Sequence, residues 1–305
     1  MAEGPAEVPV AGKERPACIP RPARLVDPRQ QARTVFDEIA GLYDAARPGY
    51  PSEAITDLLA RGEVGPASRV LEIGCGTGQA TRDLAASGAA LECLEPGPRL
   101  AARARQHLAR FPNVRVSVTT FEAAQAEPGA YDVIVSATAF HWIDPSVAFD
   151  KAANLLRPGG SLALLTNAHG SAGTHTDERI AGAIRDLHGR LAAEVGAWTS
   201  LDDIRRRVNA GGDIAAVWSR VEPKLAEAPP VSDLFEPPVV SVYPWVATYA
   251  RSRYLEMLAS QSGYALIEPE RREQLLDAIG RLVDERLGGT ITKQYVTILA
   301  TARRR

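Results

Sequence analysis

The stretch VLEIGCGTGQAT, Val70 to Thr81, constrains this chain more than any other. An apolar run and an acid lead into glycines at three alternate positions, Gly74, Gly76 and Gly78. A strand ending at Ile73 and a helix beginning near Gln79 need a tight turn between them. Glycine supplies it, because it tolerates left-handed backbone and carries no Cβ. The same bareness lets a ligand lie against the main chain, and a helix start offers N–H groups that have no intrahelical partner. A dinucleotide fingerprint would space its glycines G-x-G-x-x-G. Here the third glycine comes one position early and Gln79 takes its place. Glu72, two residues before the first glycine, would repel a pyrophosphate, so the ligand expected beside this turn is cationic or zwitterionic.

The surrounding pattern supplies a frame for the turn. Short apolar runs bounded by turn signals alternate with helical periods. RVLEI, LECLE, VRVSV, YDVIVSATA and SLALLTN read as strands, the last introduced by Pro158-Gly159-Gly160. QATRDLAASG, PRLAARARQHLARF and SVAFDKAANLL read as the helices among them, and TVFDEIAGLYDAARPGYP and PSEAITDLLARG as helices before them. Such alternation predicts a parallel sheet covered on both faces with right-handed crossovers. After Asn167 the rhythm changes to mostly helical segments. A strand PPVVSVYPW follows, then helices over VATYARSRYLEMLASQSGY and PERREQLLDAIGRLVDERLGG, and a closing strand TKQYVTILATA.

The fold expected is α/β: a Rossmann-like, seven-stranded, mostly parallel sheet with helices on both faces and a helical insertion after the fifth strand. Residues 1–30, with Pro5, Pro9, Pro16, Pro20, Pro22 and Pro28, read as a flexible extension. Residues 31–167 and 231–305 form the expected core, and 168–230 the insertion, read as a lid over substrate.

Composition narrows the partners. With 45% apolar and 24% charged residues a packed core is expected, and a net charge of −2 leaves no basic footprint for a duplex nucleic acid. Arg303, Arg304 and Arg305 read as a short solvated tip. Cys18, Cys75 and Cys93 lack metal-ligand or CxxC spacing, which suits a reduced, cytoplasmic protein with buried thiols. No apolar run approaches the roughly 20 residues of a membrane span, and the N-terminus lacks a secretory apolar core. A monomer or homodimer acting on a small-molecule substrate is expected, with neither nucleic acid nor membrane as partner.

LEIGCGTG resembles the first motif of class I methyltransferases that depend on S-adenosylmethionine. Glu95 at the end of LECLE, YDVIVSATAFHWID and LLRPGGSLALLTN resemble later pieces of that family in the same order, over roughly Val35 to Asn167. YDAARPGYP and AFHWID are most similar to small-molecule enzymes of the trans-aconitate methyltransferase and UbiE-like kind. The resemblance implies S-adenosylmethionine as cofactor. Gly74, Gly76 and Gly78 then run against its methionine and ribose parts, with Ala137 beside it at the tip of the fourth strand. Glu95 is implied to hold the ribose hydroxyls. Glu72 is either a partner of the ammonium or a brace of the loop. Tyr43 and Arg47 either belong to the segment that folds over the cofactor in the family, Arg47 meeting the methionine carboxylate and Tyr43 closing over the methyl group, or form a capped helix end with a surface arginine. Phe121 and Glu122 either flank and bind the adenine or are an ordinary core phenylalanine and solvent acid.

His141, after the fourth strand at the edge where open α/β sheets bind ligands, is the candidate base, with a plain pocket-wall role as the alternative. His169 and His175 either face substrate or sit in loops, and His107 and His188 read as helix-surface residues. Trp198, Trp218, Tyr243 and Trp245 either line a pocket or fill the core. Asp144 alone makes no carboxylate cluster, so no metal is expected. The implied reaction moves a methyl group to an O, N or C atom of a small molecule such as a secondary metabolite. A cyclase, or a non-catalytic protein that keeps the cofactor, is the alternative on the same fold. SATAFHW stands where amino-methylating nucleic-acid enzymes carry an N/D-P-P-Y/F tetrad.

Overall fold

The computed structural model describes Asp37, Gly41, Asp44 and residues 47–171, 175–192, 199–222, 228–265 and 267–305. Tyr43 and Trp198, Cys18 and residues 1–30 fall outside them. Helix α1 (Ser52–Arg61) turns its Ala54, Ile55 and Leu58 face inward and ends at Gly62. Then β1 (Arg69–Ile73), α2 (Thr81–Ala85), β2 (Ala90–Leu94), α3 (Pro98–His107), β3 (Val114–Ser117) and β4 (Tyr131–Ala137) follow. Beyond a 3-10 turn at Phe140–Trp142 come α4 (Pro145–Leu155) and β5 (Leu156–Ser171). The remaining elements are α5 (His175–Leu191), β6 (Thr199–Ser200), α6 (Leu201–Asn209), α7 (Ile214–Val221), β7 (Val239–Ala250), α8 (Arg251–Ala259), α9 (Ser262–Ala265), α10 (Pro269–Leu287) and β8 (Thr290–Arg303).

The main sheet runs β3-β2-β1-β4-β5-β8-β7, with the two-residue β6 beside β5. Strands β1 to β5 pair in parallel, and β8 runs antiparallel to both β5 and β7. From β1 the chain builds outward through β2 and β3, then returns to add β4 and β5 on the other side. The switch point between β1 and β4 therefore opens a crevice at the carboxyl edge, where open α/β sheets bind ligands.

Both faces of the sheet are covered, which is why the central strands read as continuous apolar runs rather than alternations. On one face Leu71, Ile134, Leu164 and Ile298 pack against Phe149 of α4, Ile204 of α6 and Trp218 of α7. On the other, Val70, Val135, Leu165 and Leu299 meet Leu58 of α1, Leu84 of α2 and Ala104 of α3. A third cluster joins Ile184 of α5, Tyr254 and Met257 of α8, and Leu275, Ile279 and Val283 of α10. Caps close several helix ends: Asp144 accepts from the Ser146 N–H at α4, Ser200 from Asp203 at α6 and Asp213 from Ala216 at α7.

The structure departs from the expected pattern in four places. Residues 246–250 extend β7 instead of starting a helix, because Val246 to Ala250 pair in register with Gln294 to Thr290 of β8. The alternation of aromatic and β-branched residues in WVATYA suits that ladder. Pro158-Gly159-Gly160 lies within β5, where the pairing with β4 slips between Tyr131 and Val133. The arginine tip is anchored: Arg304 N–H bonds to Gly160 O, Arg305 Nε to Ser232 O at 2.8 Å, and Arg303 pairs with Glu63. His188 is buried, its Nε2 2.5 Å from Tyr264 Oη between α5 and α9.

Trp218 shares the main core and is 1% exposed. Trp218→Ala is expected to cost about 3–5 kcal/mol in chemical denaturation; a loss below about 1 kcal/mol would show that α7 packs loosely on the sheet.

Candidate functional site

The turn after β1 is built from left-handed glycines: Gly74, Gly76 and Gly78 have φ of 70°, 58° and 93°. A Cβ on Gly74 would stand 2.4 Å from the Ala139 Cβ, so no other residue fits beneath the loop that follows β4. The turn is tied to its neighbour strand, with Gly74 and Cys75 N–H both bonding Leu94 O at 2.7 and 3.2 Å.

Glu95, just past β2 and 5% exposed, sets the middle of the turn. Its Oε2 accepts the Gly76 N–H and its Oε1 the Gly97 N–H, each at 2.9 Å. Charge-assisted bonds of this kind are the strong ones, and a carboxylate has further lone pairs for a ligand. Glu72 lies 1% exposed below the turn, with the Cys93 thiol donating to Oε2 at 3.8 Å. Burial pushes its carboxyl up to about 7; the Thr81 hydroxyl and Cys93 thiol oppose the shift and the Glu95 charge adds to it. The Thr81 hydroxyl acts there from outside strict hydrogen-bond geometry.

A cleft of about 590 Å³, counting its open mouth, lies over this turn. Its floor is Glu72, Gly74, Cys75, Gln79 and Ala80, and its far side Ala137, Thr138 and Asn167. Arg47, Pro48 and Tyr50 cross it, and Met257, Gln261 and Tyr295 wall it. The crossing segment is held at three points. Arg47 Nη2 donates to Ser260 O at 3.1 Å, Asn167 Nδ2 to Gly49 O at 3.0 Å, and Tyr50 Oη shares a hydrogen with Thr138 Oγ1 at 2.8 Å. Thr138 itself is left-handed at φ 57°, a conformation that a β-branched residue keeps only where its surroundings enforce it. Upstream, Asp37 accepts the Arg99 N–H at 2.7 Å at the start of α3, and Asp44 pairs with Arg103 and His107.

The structure thus brings together Arg47, Glu72, Gly74 and Ala137, with Gly76, Gly78 and Glu95 forming the turn beneath. It sets others apart. Phe121 is 2% exposed and packs in the core, with the Lys151 ammonium 5.4 Å over its ring. Glu122 accepts the Asp144 N–H at 3.3 Å, away from the cleft lining. His141 is buried in the 3-10 turn and does not line the cleft; its Nδ1 stands 3.6 Å from Glu222 Oε2, and its ring tilts against Trp142 at 4.8 Å. Glu222 in turn accepts the Thr166 hydroxyl at 3.0 Å. The side chains of His169 and His175 fall outside the described residues.

Tyr50, Thr138, Asn167, Met257, Gln261 and Tyr295 were not foreseen as site residues. Thr138 follows β4 directly and Asn167 closes the apolar run SLALLTN within β5, and both could have been found by those positions. Met257, Gln261 and Tyr295 reach the cleft only through the packing of α8 and β8, which leaves no local signal. Behind Tyr295, Lys293 is 4% exposed and burial brings its ammonium down to about 7. Burial and the Lys293 charge both lower His188. Among the described residues no group of three His, Cys, Asp or Glu could hold a metal, and no helix is long and apolar enough to cross a membrane.

Residues 71–164 match the family model of a methyltransferase domain. An uncharacterized methyltransferase of Mycobacterium tuberculosis (strain ATCC 25618 / H37Rv) is 33% identical over 180 residues, 59% of this chain and 65% of the relative. A ubiquinone biosynthesis O-methyltransferase of Xanthomonas campestris pv. campestris is 33% identical over 145 residues, 44% of this chain and 61% of the relative. The chain therefore spans just under two thirds of these curated relatives. A solved structure from Anaeromyxobacter dehalogenans, described as that of a type II methyltransferase, superposes with a TM-score of 0.55 at 22% identity over 85% of this chain and 97% of that one. It shares the fold.

Glu72 gives a test of this geometry that needs no ligand. Its folded carboxyl lies above the unfolded value of 4.5, so its contribution to stability is present in acid and lost as pH rises through about 7. Urea unfolding of the wild type should lose about 3 kcal/mol between pH 4.5 and 8 relative to Glu72→Gln. Parallel curves for the two proteins would show that Glu72 ionises freely.

Proposed function

We propose that this chain, whose residues 71–164 match the family model of a methyltransferase domain, is an S-adenosylmethionine-dependent methyltransferase acting on an O, N or C atom of a small molecule. The observation that carries the proposal is the pairing of a bare, left-handed glycine turn with two buried acids. Gly74 admits no Cβ because Ala139 packs against it, Glu72 lies in the cleft floor, and Glu95 stands just past β2. The donor set suits the cofactor's chemistry: an acid for its ammonium, an acid for its ribose diol, and the Arg47 guanidinium for its carboxylate. When bound, the cofactor supplies a methyl group already activated by a sulfonium.

The protein's share is alignment and exclusion of water. Arg47 to Tyr50 close the cleft from above, and Ala137 and Thr138 set its depth. Met257, Gln261 and Tyr295 shape the side where the acceptor enters. Helices α6 and α7 of the segment 168–230 contribute to the core, and none of its described residues lines the cleft. His141, with Glu222 beside it, stands outside the cleft lining, so it takes a proton from the acceptor only by way of an intervening water. The likeness to an O-methyltransferase of ubiquinone biosynthesis favours an oxygen acceptor.

Isothermal titration with S-adenosylhomocysteine tests the cofactor. Wild type is expected to bind it, and Glu95→Ala to bind at least about tenfold more weakly, since bonds to a charged group are lost. Equal affinity would remove Glu95 from the site. An ammonium partner favours ionised Glu72, so affinity should rise from pH 6 to 8 and this rise should vanish in Glu72→Gln; a rise that survives would place the ammonium elsewhere. His141→Ala should keep the affinity within about twofold while slowing release of S-adenosylhomocysteine with hydroxyl-bearing acceptors. Unchanged turnover would make His141 a wall.

A further inference from the structure

A chain of three side chains crosses the sheet from β7 to the cleft. Trp245 Nε1 donates to Thr297 Oγ1 at 2.9 Å, Thr297 Oγ1 donates to Asn167 Oδ1 at 2.5 Å, and Asn167 Nδ2 donates to Gly49 O at 3.0 Å. The polarity of this chain is dictated by chemistry. An indole N–H can only donate, so the Thr297 oxygen must accept it. The Gly49 carbonyl can only accept, so the Asn167 nitrogen faces it and the amide oxygen faces Thr297, which donates its single hydroxyl hydrogen there. An amide whose two ends are ordinarily interchangeable is thus held in one orientation from both ends, with the Trp245 indole filling an acceptor site of Thr297.

The links are partly buried. Thr297 is 0% exposed, and Trp245 is stacked on Tyr295 with centroids 4.6 Å apart and planes 19° apart. Low dielectric strengthens such a network when each member is satisfied, and makes a missing member costly. At its end the relay meets the segment Arg47 to Tyr50, which crosses the cleft. Of the three bonds that hold this segment, the one from Asn167 has its donor oriented by a further side-chain network.

We propose that Asn167 is a ligand-positioning residue and that Thr297 and Trp245 act through it: their relay orients the Asn167 amide so that it holds Gly49, and with it Arg47, over the bound cofactor. Strands β7 and β8, which carry the acceptor-side Tyr295, are thereby coupled to the cofactor's cover. The inference rests on the reading of the cleft as an S-adenosylmethionine site.

Three variants in the full chain test it, each titrated with S-adenosylhomocysteine. T297V removes the hydroxyl and keeps the shape, so the amide loses its orienting donor. T297S restores the hydroxyl. N167D can still accept from Thr297 but sets a carboxylate oxygen against the Gly49 carbonyl, and it tests the same link if T297V fails to fold. T297V and N167D should bind about three- to tenfold more weakly, the range for one neutral hydrogen bond, and T297S within about twofold of wild type. If T297V and N167D bind like wild type, or T297S binds as weakly as T297V, the relay does not position the ligand and the inference is overturned, while wild-type binding keeps the cofactor reading intact. If wild type itself shows no binding, the cofactor reading falls first and takes this inference with it.

Discussion

The bond between the Glu95 carboxylate and the Gly76 N–H, 2.9 Å long and out of solvent, is the constraint on which the site depends. Glycine turns with three left-handed residues have high conformational entropy when unfolded, and something must hold them in one shape. Glu95 does so from the neighbouring strand, while its other oxygen fixes Gly97 at the start of α3. Two loops at the carboxyl edge are thus fastened to one side chain. The parallel pairing of β1 with β2, Glu72 opposite Cys93 and Ile73 opposite Leu94, delivers the acid to that point. The functional turn and the sheet are one construction: the register sets where the acid stands, and the acid sets the turn.

The second acid works against the fold rather than for it. Glu72 is sealed beneath the same turn, and burial raises its carboxyl toward neutrality. A buried carboxyl without a cationic partner is destabilising once ionised, so its presence there calls for a function. A zwitterionic ligand bringing an ammonium to the cleft floor would relieve that cost. Perturbed titration at a ligand crevice is what a binding site leads one to expect.

Much of this was legible in the sequence because it is local. Apolar runs with glycine and proline punctuation located β1 to β5, and the motif order placed Glu95 and the three glycines. What escaped depends on long-range packing. Residues 246–250 carry a pattern open to either helix or strand, and only pairing with β8 decides it. His188 sits on a helix whose surrounding charges suggest solvent, yet it is buried against Tyr264 of α9 and near Lys293 of β8. The arginines at 303–305 look solvated in sequence, but main-chain bonds to Gly160 and Leu234 place them on the sheet. Tyr295 and Met257 reach the cleft from elements more than 100 residues beyond the turn. The wall of the cleft built by Met257 and Tyr295 is therefore the part least readable from local pattern, and the glycine turn the most.

The most direct measurement is a crystal structure grown with S-adenosylhomocysteine. The account predicts the ribose hydroxyls on Glu95, the methionine portion along Gly74 and Gly76, and the sulfur facing the gap between Thr138 and Tyr295. Density for a nicotinamide dinucleotide in the crevice, or the nucleoside lying away from Glu95, would contradict it.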